Sequence, residues 1–79
     1  MPTDDTPGET LDARGLKCPL PVLKAEKRLA VLPAGARLTV LATDPMARLD
    51  LPLFCRQQGF ACAESRDGEV WRFAIAKPA

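Results

Sequence analysis

Histidine and tyrosine are absent from this chain of 79 residues, and tryptophan occurs once. Without histidine there is no Ser-His-Asp or Cys-His nucleophile system, no imidazole acid or base, and no mixed Cys/His zinc site. Cysteine is scarce as well. Cys18, Cys55 and Cys62 are three, irregularly spaced and without a fourth, so the sequence points to no metal site and no resident cofactor. An odd number of thiols also argues against a secreted disulfide framework. No apolar run approaches the ~20 residues that cross a bilayer. The polar, acidic start, Met-Pro-Thr-Asp-Asp-Thr-Pro-Gly-Glu, is unlike the basic-then-apolar start of a signal peptide. These absences imply a cytoplasmic protein with reduced thiols and no membrane partner. Its chemistry has to rest on a thiol, a carboxylate or the backbone.

The length allows one small domain with a modest core. The net charge of +1 conceals an asymmetry: residues 1–9 carry Asp4, Asp5 and Glu9 with no Lys or Arg, which leaves a surplus of four positive charges on the rest. That surplus can favour acidic partners but falls far short of a nucleic-acid footprint. Residues 1–9 also hold two prolines, a glycine and no apolar periodicity, so they are expected to be a disordered acidic leader before a single domain over residues 10–79.

Within that domain, Leu11 to Arg14 is a short extended segment ended by Gly15. Val22, Ala25, Leu29 and Leu32 then recur at helical spacing on one stripe, and Pro33 and Gly35 stop the helix. Arg37 to Thr43 alternates as a strand, with Leu38, Val40 and Ala42 on one face. Asp44-Pro45 reads as a turn. A second helix is expected to begin with Asp50 as N-cap and Pro52 in its first turn, to bury Leu51, Phe54 and Cys55, and to end at Gly59. Phe60 to Glu64 is a strand, Arg66-Asp67-Gly68 a hairpin turn, and Val70 to Ala76 a strand with Trp71, Phe73 and Ile75 on one face. The order βαβαββ fits an α+β fold: a two-layer α/β sandwich in which two helices cover one face of a four-stranded mixed sheet.

Most of the chemical information lies in Arg14-Gly15-Leu16-Lys17-Cys18-Pro19-Leu20-Pro21. Pro19 and Pro21 lack N–H groups and fix φ, so they suit a first helical turn and hold Cys18 at its positive end. The helix dipole, Lys17 and Arg14 are expected to stabilise a Cys18 thiolate. Neither a histidine base nor a C-x-x-C partner is present, since Pro21 stands where the second cysteine would be. What fits is a thiol that other proteins load and unload, with sulfane sulfur carried as a persulfide whose terminal sulfur needs no local base.

Residues 11–22, Leu-Asp-Ala-Arg-Gly-Leu-Lys-Cys-Pro-Leu-Pro-Val, resemble the signature of the TusA/SirA family of small sulfur carriers, Cys-Pro-x-Pro after a Gly-Leu pair. A second block, Asp44-Pro45 with Asp50-Leu51-Pro52-Leu53-Phe54-Cys55, is similar to the family's start of helix two. The likeness runs from about Leu11 to Ala76. It implies that Cys18 accepts sulfur from a cysteine desulfurase or rhodanese-like donor and passes it to an acceptor protein. Transfer RNA thiolation, sulfur oxidation and molybdenum-cofactor sulfur supply are the family's destinations. The step would be stoichiometric rather than a turnover reaction. Leu20 fills the x position, where some members have Glu, and flanks the thiol.

Cys55, Cys62, Trp71 and Phe73 are expected in the core, and Asp44 and Asp50 in turn and capping duties rather than as a carboxylate pair. Lys24, Lys27 and Arg28, with Leu20, are candidates for partner docking by a monomeric carrier. Two other functions remain open: a module that binds RNA or a regulatory protein through the basic first helix, and a redox switch pairing Cys18 with Cys55 or Cys62. Direct nucleic-acid binding is not expected, because no aromatic residue is interleaved with the basic ones.

Overall fold

The computed structural model describes residues 8–78. Six elements follow in the order β1 (Gly8–Ala13), α1 (Leu20–Val31), β2 (Arg37–Ala42), α2 (Ala47–Gln58), β3 (Ala61–Asp67) and β4 (Val70–Ala76). They form one sheet in the order β1-β2-β4-β3. β1 and β2 are parallel, whereas β4 runs antiparallel to both of its neighbours. Both crossovers, β1-α1-β2 and β2-α2-β3, move the same way along the sheet, and right-handed connections therefore put both helices on one face. The expected two-layer α+β sandwich is the fold observed.

Alternation in the strands and the helical stripes meet in a single core. Leu38, Val40 and Ala42 of β2, with Phe73 and Ile75 of β4, face Ala25 and Leu29 of α1 and Leu51 and Cys55 of α2. Val22, Leu32, Phe54, Cys62 and Trp71 pack partly buried around them. Trp71 thus lies at the margin rather than inside. Arg66, its cross-strand partner, and Arg48 of α2 hold their guanidinium groups 4.6 and 4.9 Å from its ring centroid.

Several boundaries differ from expectation. Residues 8 and 9 belong to β1, not to a leader, because pairing with β2 continues as far as Gly8↔Arg37; residues 1–7 of the expected leader lie outside the described residues. Arg14 falls in the turn rather than the strand. α2 begins at Ala47, not after Asp50, and Pro52 is its sixth residue. The first turn is fixed instead by Asp44, whose carbonyl accepts from Ala47 N–H at 3.0 Å and whose Oδ1 accepts from Met46 N–H at 3.2 Å. Asp50 is freed for another partner. Strand β3 runs on to Asp67, which pairs with Val70, so Gly68-Glu69 forms the hairpin loop.

The chain after β4 closes α1. Nζ of Lys77 donates to the carbonyls of Leu29 and Leu32, both at 2.6 Å, where the helix has run out of amide donors. A cation there also complements the negative end of the helix. Gly59 ends α2 in the left-handed region at φ +79°, as a C′ glycine does. Among the described residues, no helix is long and apolar enough to cross a membrane.

Candidate functional site

The segment from Ala13 to Leu20 carries the chain from β1 to α1. Its first turn bends at Gly15, φ +81°, a conformation that side chains rarely adopt. Gly15 N–H donates to Oγ1 of Thr43 at 3.0 Å, which ties this loop to the end of β2. Pro19 is the N-cap of α1, and Pro21, buried in the second helical position, needs no hydrogen bond for its nitrogen. Cys18 immediately precedes the cap and is exposed. Its location at the helix N-terminus is the one expected.

Its electrostatic surroundings are the reverse of those expected. Sγ of Cys18 donates to Oδ2 of Asp50 at 2.8 Å, and the Cys18 N–H donates to Oδ2 of Asp44 at 2.5 Å. The hydrogen bond to Asp50 pushes the thiol pKa above its ordinary value; desolvation and the negative charges of Asp50 and Asp44 push it the same way. The Arg14 guanidinium does not reach the sulfur with free charge. It clasps Asp12 with two hydrogen bonds, at 2.8 and 2.9 Å, and Asp12 also accepts the Arg14 N–H. Those hydrogen bonds, the side-chain pair foremost, hold the Asp12 carboxyl well below its usual value, at about 2. Lys17 lies with Gly15, Leu16, Thr43, Asp44 and Pro45 around a cleft of about 280 Å³. The Cys18 sulfur is therefore held against a carboxylate that favours its protonated form, and the Arg14 guanidinium is engaged by Asp12.

Asp44 and Asp50, expected in a turn and at an N-cap, both meet Cys18. Asp44 keeps its turn role but adds the Cys18 amide; Asp50 leaves the cap role and takes the sulfur. The visible signal was their place in the second block, one before a proline and the other six residues on. Asp50 thus sets a carboxylate oxygen 2.8 Å from the sulfur in a chain that has no histidine.

Large apolar side chains are exposed on the two helices that meet here. Leu20 and Leu23 of α1 are 46% and 47% exposed, and Met46, Leu49 and Leu53 at the start of α2 are 47%, 65% and 51% exposed. Met46 and Leu53 stand four residues before and three after Asp50, on its side of the helix. Leu20, singled out in the sequence, belongs to this collar. Lys24, Lys27 and Arg28 lie further along α1, where they line a groove with Leu11 and Val31, and Arg28 is bonded to Glu9 of β1.

The remaining cysteines are free, as Cys18 is. The Cys55 thiol is buried and the Cys62 thiol half-buried, both against the core. Burial, with a further push from Cys62, raises the Cys55 pKa to about 12. Among the described residues, no three His, Cys, Asp or Glu side chains are grouped as a metal ion needs.

Comparison with known proteins follows the same line. The family model described as Sulfurtransferase TusA matches residues 9–77. The sulfur carrier protein TusA of Pseudomonas putida is 43% identical over 78 residues, covering 98% of both chains. That of Allochromatium vinosum is 43% identical over 70 residues, covering 87% of this chain and 92% of its own. Among solved structures, a SirA-like protein from Desulfitobacterium hafniense superposes with a TM-score of 0.81 at 32% identity, over 90% of this chain and 99% of that one.

Proposed function

This chain belongs to the TusA family, and from that membership we propose that it is a cytoplasmic, monomeric sulfur carrier that holds sulfane sulfur as a persulfide on Cys18. A cysteine desulfurase or rhodanese-like protein is the donor. The acceptor is a protein that directs the sulfur to transfer RNA thiolation, sulfur oxidation or molybdenum-cofactor supply. The observation that carries the reading is the exposed thiol hydrogen-bonded to Asp50 at the start of α1.

The step balances without an oxidant. As a donor persulfide approaches, Asp50 takes the proton from Cys18 and the sulfur attacks the donor's terminal sulfur. The S–S bond of the donor breaks, a new one forms on Cys18, and the donor cysteine leaves as a thiolate that the proton on Asp50 neutralises. One sulfur atom has moved and no electrons are gained or lost. Transfer to an acceptor thiol repeats the exchange in reverse and restores the Cys18–Asp50 hydrogen bond. Leu20, Leu23, Met46, Leu49 and Leu53 give the partner an apolar landing surface that excludes water from the exchange. Arg14, Gly15, Pro19 and Pro21 act as positioning residues, shaping the loop that presents the sulfur, and Lys17 lines the cleft with Gly15 and Leu16.

The test is an intact mass after incubation with a cysteine desulfurase and cysteine. A gain of one sulfur, removed by a thiol reductant and missing from Cys18→Ser, is expected. No adduct with several desulfurases and rhodanese-like donors would overturn the reading.

A further inference from the structure

A second surface lies away from the sulfur. β1 is an edge strand, paired among the described residues only with β2, and its six-residue register from Gly8 to Ala13 has no bulge and no proline. Edges are ordinarily blunted by such devices or covered. Beside this edge, Lys24, Lys27, Arg28 and Val31 recur on α1 at i, i+3, i+4 and i+7 and overhang Leu11, forming a trough of about 280 Å³. Its apolar parts are Leu11 and Val31, the latter 69% exposed. Glu9 occupies Arg28 at one end. Lys24 and Lys27 are exposed and have no carboxylate partner among the described residues.

The opposite edge differs. On β3, Glu64 is paired with Arg48 at 2.8 Å, and Arg48 and Arg66 lie over Trp71, so the cations there are engaged.

We propose that the edge of β1 receives an extended acidic segment of a partner protein, which adds as a fifth strand and directs its helix-side carboxylates to Lys24 and Lys27. Strand addition supplies main-chain hydrogen bonds, and alternate side chains supply specificity. Lys24 to Val31 spans ~10.5 Å along the helix. Side chains on one face of a strand repeat every ~6.8 Å, so two of them fit within that length and a third falls roughly 3 Å past its end. The matching partner carries two carboxylates and one apolar residue at alternate positions, the apolar one meeting Leu11 and Val31. A nucleic acid would use the lysines but neither the apolar floor nor the strand edge. The surface goes beyond the sulfur chemistry and does not involve Cys18.

The experiment uses the full chain, labelled with nitrogen-15, and as the probe a blocked peptide Thr-Glu-Thr-Glu-Thr-Val-Thr, whose two Glu and one Val share one face of a strand. Saturable shifts and slowed hydrogen exchange at the Gly8–Ala13 amides are expected. Binding should weaken about tenfold in the Lys24→Glu/Lys27→Glu variant, and in the milder Lys24→Gln/Lys27→Gln variant should weaken without loss of the fold. It should disappear when alternate peptide nitrogens are methylated and persist in Cys18→Ser. The proposal is overturned by shifts confined to the Cys18 end or the open sheet face, by binding that survives methylation, or by no binding at all. Displacement of the peptide by single-stranded RNA that leaves the β1 amides unprotected would overturn it as well. Because Cys18→Ser removes sulfur loading and leaves the strand edge intact, the two readings fail separately.

Discussion

Cys18 and Asp50 lie 32 residues apart in the chain, yet the thiol of one donates to the carboxylate of the other at 2.8 Å. The contact joins the N-terminus of α1 to the first turn of α2. It favours the protonated form of the Cys18 thiol over the thiolate.

Substituting Asp50 with Asn tests that contact. Replacing the carboxylate by an amide exchanges a charged hydrogen-bond acceptor for a neutral, weaker one and removes a neighbouring negative charge, and both features of Asp50 raise the thiol pKa. The midpoint of Cys18 alkylation by iodoacetamide against pH should fall, and alkylation at pH 8 should quicken. Sulfur acceptance from a desulfurase should slow in the same variant, because the proton acceptor is gone. The linkage has a definite sign: a raised thiol pKa gives stability that is present at lower pH and lost as pH rises through the folded value. The wild type should therefore lose more stability than Asp50→Asn above the ordinary thiol pKa, as measured by denaturant midpoints across that range.

The two interior thiols provide a contrasting measurement. Cys55 is buried and its pKa is raised to about 12, and Cys62 is raised too, chiefly by burial. In the native protein at pH 8, Cys18 alone should take up an alkylating reagent within minutes, with Cys55 and Cys62 following only in denaturant. Peptide mass mapping distinguishes the three. Rapid native labelling of Cys55 would contradict the core placement.

Asp12 and Arg14 provide a titration in the loop that presents Cys18. With its folded pKa depressed to about 2 from 3.8, Asp12 contributes stability that is complete above 3.8 and is lost as pH falls through 2. The Asp12 side-chain carbon signal should titrate near 2 in the wild type and return towards 3.8 in Arg14→Ala. The same variant should alter Cys18 alkylation little, since Arg14 spends its charge on Asp12 and not on the sulfur.

Much of this fold was legible because burial obeys local periodicity. Ala25 and Leu29 repeat at helical spacing and Leu38, Val40 and Ala42 at strand spacing, and each such set needed only one apolar face to be placed. Cys18 was legible because two prolines and a glycine constrain the backbone around it. Asp50 was not. Its short polar side chain before Leu-Pro fits an N-cap equally well, and only the approach of α1 to α2 decides which donor it meets. Arg14 differs for a related reason: it is near the thiol in sequence, but Asp12, two residues away, takes both hydrogen bonds of its guanidinium fork. Trp71 alternates as a core residue should, but two arginines from separate elements hold it at the rim, and neither approach is visible in the strand itself.

Lys77 shows the same limit on the scale of the whole domain, and it yields a stability prediction. In the sequence it is one basic residue beyond the last strand. In the fold its Nζ reaches back 45 and 48 residues to the carbonyls of Leu32 and Leu29, in a partly buried position. Hydrogen bonds from a charged donor are worth about 1.5–3 kcal/mol. Loss of the cation also removes its interaction with the helix end. Lys77→Met, which keeps the apolar stem, should lower the stability by about 2 kcal/mol in urea denaturation followed by Trp71 fluorescence. Arg37→Met, on an exposed strand position with no such partner among the described residues, should stay within about 0.5 kcal/mol of the wild type. Equal effects from the two substitutions would mean that Lys77 does not cap α1 in solution.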